Sequence, residues 1–230
     1  MPGNRRVLAL VVVPSTAVAV GVVVLYGVVL PLVPGVRAHY FPESVATYAA
    51  WWPAIGGHIV FGSAALLLGP LNLWHGLRRR PRRAHRRVGA AYAVAVAVAA
   101  PCALVMAFTA YPGTLPGGRF LITGGMVTLG AVWLTTLYLA VRAIAVGRDR
   151  DRHGFWMIVN VSATYSAVLF RVLNGAVVAS GHFEQLYPLL GWAGWVPSVA
   201  VGWVLARRWL ARRRAARPAA APAALAAVLR

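Results

Sequence analysis

Six long apolar runs, each broken by little more than glycine, serine or a lone polar side chain, alternate along the chain with short polar connections. They cover residues 7–33, 54–74, 88–110, 120–146, 155–179 and 187–206. At 1.5 Å per residue, about 20 residues of helix cross a hydrocarbon layer of about 30 Å. Outer-membrane strands would need short segments of alternating polarity instead of continuous apolar runs. With no water to satisfy the backbone, helices are the remaining solution. The pattern therefore predicts an all-α integral membrane bundle of six transmembrane helices. A small-residue site ending at Ala38 weakly resembles a signal-peptidase motif, but the first apolar core is too long for a removed signal peptide and is read as a helix.

Polar and small residues within these runs fall on faces. Positions spaced 4, 3, 4, 3 stay on one side of a helix. His58, Gly62, Ala65, Gly69 and Asn72 form such a face on the second helix, and His85, Gly89, Tyr92, Val96 and Ala99 on the third. The fifth carries His153, Asn160, Thr164, Ala167, Arg171 and Asn174. Helices two and three, and again four and five, are joined by arginine-rich loops ending in a histidine, a weak internal repeat that marks helices two to five as a four-helix core. Pro70 and Pro101 fall inside spans and are expected to kink or unwind them, Gly69-Pro70 being the better candidate for a functional break.

Composition agrees with lipid. Hydrophobic residues make up 60% of the 230, mean hydropathy is +0.69, and 23 basic side chains, all arginine, face four acidic ones. The formal charge of +19 is clustered between uncharged stretches instead of lining one solvated face, so nucleic acid is excluded as partner. Arginines gather at 78–87, at 148–152 and at 207–217, while the alternate loops hold only Arg37 and Arg119 with Glu43 and Glu184. Under the positive-inside rule both termini face the cytoplasm, in a multi-pass protein of the cell membrane. Residues 1–206 form the transmembrane domain, and 207–230 an arginine-rich, then Pro/Ala-rich, cytoplasmic tail. A single cysteine, Cys102, excludes an internal disulfide. Expected partners are the bilayer and, as an allowed state, further copies of the chain.

Arg171 is the residue helix packing explains least. A guanidinium within a span costs at least ~2.5 kcal/mol and needs a partner, yet no acidic residue lies within the six runs. It lies about 27 Å along the axis from His153, level with His58, so His58, Arg171 and Asn174, with Asn72 on the neighbouring face, define a candidate ligand or anion site. On the inner side His85 and His153 open parallel helices, with His75 nearby. The plain reading of these histidines, and of His39 and His182, is interfacial hydrogen bonding. The sharper one is ligation of haem b, with His85 and His153 as axial metal ligands, His58 and Arg171 as further cofactor-binding residues, a glycine one turn along making room, and arginines pairing with propionates. Zinc is disfavoured because no Cys or carboxylate joins the histidines at ligand spacing. No Ser-His-acid, P-loop or dinucleotide fingerprint is present, and no catalytic residue is assigned.

Three ordered motifs, His58-Ile-Val-Phe-Gly62-Ser-Ala-Ala65-Leu66-Leu-Leu-Gly69-Pro70, His85-Arg86-Arg87-Val-Gly89-Ala-Ala-Tyr92 and His153-Gly-Phe-Trp156-Met157 with Leu169-Phe-Arg171, resemble a family of bacterial predicted membrane proteins classed as a domain of unknown function, of the DUF2306 type. The resemblance spans roughly residues 50–175. Asn72 stands where glutamine is usual, and Val159 replaces an expected arginine, which weakens a two-arginine clamp on helix five. It implies the fold and the choice of residues, and no reaction. The leading functional expectation is a haem-b-type redox or ligand-binding membrane protein. A transporter or lipid/anion-binding protein and a structural membrane subunit are the alternatives.

Overall fold

The computed structural model describes residues 3–29, 32, 50–77, 82–111 and 113–216. Among them every regular element is helical: α1 (Gly3–Val24) closing in a π-helical turn at Leu25–Val29, α2 (Trp52–Leu77), α3 (Arg82–Thr109), α4 (Gly118–Ala145), α5 (Arg150–Ala179), α6 (Phe183–Leu186), a 3-10 turn at Tyr187–Leu189, α7 (Leu190–Ala193) and α8 (Val196–Ala215). Six stretches are long and apolar enough to cross a membrane, the sixth running from Phe183 to Ala215. Large apolar side chains on the outside, such as Val94, Phe108, Phe120 and Val172, belong against lipid tails. Arg37, Ala38, His39, Glu43, Arg78–Arg80, the end of the first run and residues 217–230 lie outside the described residues.

Helices α2 to α5 close a ring, α2 on α3, α3 on α4, α4 on α5 and α5 back on α2. One core cluster takes residues from all four: Ala65, then Tyr92, Val96 and Ala99, then Trp133 and Ala140, then Met157 and Val161. α1 lies outside against α2, with Ala19 meeting Leu66 and Val168, and α8 runs along α5. Lipid is as apolar as leucine, so these contacts rest on close approach at small residues and on hydrogen bonds. A Cβ on Gly69 would come within 3.2 Å of the Tyr92 ring and 3.3 Å of Val161, and one on Gly154 would overlap the Trp209 indole.

Several expectations change. α2 and α3 run through Pro70 and Pro101 without a break; Gly69 serves packing, not unwinding. The sixth span is interrupted between Tyr187 and Trp195 instead of running as one helix. Its Gly191 backbone lies so close to α4 that a Cβ would stand 2.6 Å from the Leu121 carbonyl oxygen and 2.8 Å from the Ile122 Cα, and Pro188, Gly191, Gly194 and Pro197 are poor formers of a continuous helix. The arginine clusters are also helical in part. α3 begins at Arg82, and α8 continues through Arg207–Arg214 to Ala215, because arginine is a good helix former and its charge suits a helix C-terminus.

Candidate functional site

α3 and α5 stand diagonally opposite in the ring, and both begin at the arginine-rich end. Each carries a histidine in its first turns, and the two rings meet across the bundle: the centroids of His85 and His153 are 6.5 Å apart, with planes at 80°. His153 Nδ1 lies 2.9 Å from the carbonyl oxygen of Ala140 in α4. A carbonyl only accepts, so Nδ1 carries a proton, and Nε2 is the nitrogen that holds the lone pair in the neutral ring. The His85 ring rests on α2, where a side chain at Gly76 would come within 3.3 Å of it. Among the described residues its Nδ1 is buried without a hydrogen-bond partner, as are His75 Nδ1 and Asn72 Oδ1 in the same corner. A Cβ on Gly89 would stand 3.2 Å from Asn72 Oδ1, so that glycine makes room for the amide. Among the described residues no three His, Cys, Asp or Glu side chains converge as a metal cluster.

Two turns deeper, about 10.5 Å along the axes, lies a closed circuit of buried hydrogen bonds. Trp133 Nε1 donates to Thr164 Oγ1 at 2.9 Å. The Tyr92 hydroxyl donates to Asn160 Oδ1 at 2.5 Å, which commits its only proton. Thr164 therefore has the Tyr92 oxygen at 2.7 Å as its nearer acceptor and the Asn160 main-chain carbonyl at 3.2 Å as its second. Asn160 Nδ2 completes the circuit, donating to the Trp133 carbonyl at 2.7 Å and to Thr136 Oγ1 at 2.8 Å. Thr136 passes its proton to the Val132 carbonyl at 2.7 Å. Tyr92 and Asn160 are fully buried.

At the far end the expected cluster only partly assembles. His58 Nδ1 bonds to the Ala99 carbonyl oxygen at 3.1 Å, and its ring lies along Gly62. The expected inward pairing of Arg171 is not found: its side chain is exposed, its guanidinium lies 5.8 Å from the Phe170 ring centroid, and among the described residues it has no ion pair. Asn174 is half-buried and Ala167 exposed. The polar face of α5 holds inward from His153 to Thr164, then leaves the core as the buried side turns to Ser166 and Val168, the latter beneath α1. His182 is exposed and bonds Ser180 within its own turn.

Sequence reading missed Trp133 and Thr136. Their i, i+3 spacing, continued to Ala140, is the signal that could have found them, but on a long apolar helix neither stood out. A model of a family described as a predicted membrane protein matches residues 55–206, covering α2 to α5 and most of α8. No curated protein and no solved structure matches the chain.

Proposed function

We propose that this chain, which belongs to the DUF2306 family of predicted membrane proteins, binds a haem-b-type group between His85 and His153, at the arginine-rich end of its four-helix core. The observation that carries this is the pairing of the two rings at 6.5 Å. Were both rings to bind one iron, bonds of about 2 Å and about 1.2 Å from nitrogen to ring centre would put their centroids roughly 6.4 Å apart. The hydrogen bond from His153 to Ala140 supports it further, since metal-binding histidines ordinarily donate the other ring nitrogen to a carbonyl or carboxylate.

A bound haem supplies one-electron exchange or ligand binding at iron; the chain's own residues orient and enclose it. His153 is held in one tautomer by α4, and His85 is steered by its seat on Gly76. The Asn72 amide, with Oδ1 unpartnered, offers an acceptor in the same corner. Arg83, Arg86 and Arg87 supply cations for acidic substituents, and the Tyr92–Asn160 layer limits how deeply a group can enter. Absorbance of detergent-purified protein from haem-replete cells, before and after dithionite, tests the proposal. A Soret band lost in both His85→Ala and His153→Ala is expected; its absence in the parent, or persistence in both variants, overturns it.

A second reading places an anion at the other end. It is supported by Arg171, which among the described residues has no ion pair and lies one turn from half-buried Asn174, and requires a water-accessible cavity there. Protection of Asn174→Cys, in a Cys102→Ser background, from a charged thiol reagent by added phosphate or sulfate would support it.

A further inference from the structure

At the arginine-rich end, outside the histidine layer, a crevice of about 660 Å3 opens between the start of α5 and the end of α8. The two helices are antiparallel, and each lays the same polarity along it. On α5, Arg152 stands at the rim with Trp156 one turn towards the membrane. On α8, Arg214 stands at the rim with Leu210 one turn towards the membrane, and all four side chains line the crevice. Phe155, also in the lining, continues the apolar wall: its ring lies 5.1 Å from both Trp156 and Trp203, and Trp203 is exposed on the lipid side.

The crevice also contains two carboxylates, and both are engaged. Asp149 caps α5, one oxygen accepting from the backbone of Asp151 and of Arg152 at 2.9 Å each. Asp151 pairs with Arg213 at 2.9 Å, whose guanidinium also lies 5.1 Å from the Trp209 ring centroid. Arg152 and Arg214 are exposed and, among the described residues, paired with no carboxylate. Two free guanidinia at the rim with an aromatic and aliphatic wall leading into the bilayer match one occupant: a phosphodiester flanked by acyl chains.

The geometry points to this crevice as a binding site for one anionic phospholipid, its phosphate bridged by Arg152 and Arg214 and its acyl chains laid over Phe155, Trp156 and Trp203. Arginine forks suit phosphate oxygens, and basic pockets at the membrane edge select anionic headgroups. The site is separate from the histidine pair and does not depend on haem being bound there.

Titration of the full-length purified protein with fluorescent phosphatidylglycerol and phosphatidylcholine tests it. The parent should prefer phosphatidylglycerol by about twenty-five-fold, roughly fivefold for each arginine. Arg152→Gln/Arg214→Gln should lose that preference with an unchanged melting temperature. Arg207→Gln/Arg212→Gln, which removes the same two charges at residues outside the crevice lining, should keep it, as should Arg212→Gln alone. Should the double variant fold poorly, Arg214→Gln alone, in the last turn of α8, should lower the preference about fivefold. No preference in the parent, equal losses in the Arg212 control, or displacement of the lipid by millimolar inorganic phosphate would overturn the assignment.

Discussion

The hydroxyl of Tyr92 donates to Oδ1 of Asn160 across the diagonal of the bundle, each residue seven positions beyond a histidine of the facing pair His85 and His153. Seven residues are two helical turns, so the same faces of α3 and α5 meet twice, first through imidazoles and then through a phenol and an amide. The second meeting fixes the spacing of the first. Because Tyr92, Trp133, Asn160 and Thr164 are all satisfied by one another, the layer gains the strength of a closed buried network, and each member is costly to remove alone.

Tyr92→Phe removes one oxygen and leaves Asn160 Oδ1 without its donor, while the Thr164 hydroxyl keeps only the Asn160 carbonyl as acceptor. A loss of about 1–3 kcal/mol is expected, read as a lower melting temperature in detergent. An unchanged melt would mean that the circuit contributes nothing to the fold.

His58 is bonded like His153, through Nδ1 to a carbonyl of a neighbouring helix, but no second described histidine faces it. His58→Ala should therefore keep any absorbance band that His85→Ala abolishes. Loss in both would move the cofactor site away from the inner pair.

Gly191→Ala must push apart main-chain atoms of two elements and should cost about 1–3 kcal/mol or more. Gly124→Ala, where a Cβ would meet nothing within 4 Å, should be neutral or gain about 0.5–1 kcal/mol from better helix propensity. Thermal melts of the two variants give the comparison.

Arg171→Ala should leave stability within about 0.5 kcal/mol of the parent, as for an exposed residue outside any network. A severe loss of folded yield would show that the guanidinium is held by an acceptor after all.

Reporter fusions at Arg83 and Arg119 should report opposite sides of the membrane, with Arg83 cytoplasmic. Equal signals would contradict the six-span arrangement.

The spans and the four-helix core were legible because lipid demands continuous apolar helices and because Gly69, Tyr92 and Asn160 repeat at helical spacing. The meeting of His85 with His153 was legible for the same reason. Arg171 was not, since a constant 3.6-residue face assumes one unchanging neighbour, whereas α5 trades the ring interior for α1 in its outer half. Trp133 and Thr136 were hidden because their polar atoms are few within an apolar helix. The broken sixth span depends on backbone contact with α4 that Pro188 and Gly191 hint at only in three dimensions.

The circuit that begins at the Trp133 indole and returns to the Trp133 carbonyl has a consequence for charge movement. An indole nitrogen does not release its proton, and neither a main-chain carbonyl nor a side-chain amide takes one up near neutrality. The Thr164 hydroxyl has two acceptors, the Tyr92 oxygen and the Asn160 carbonyl, and neither leads on to a group that titrates near neutrality. Among the described residues the layer therefore offers no proton relay from the far half of the bundle: were His85 and His153 to hold a redox group, a proton coupled to it would enter and leave on the arginine-rich side.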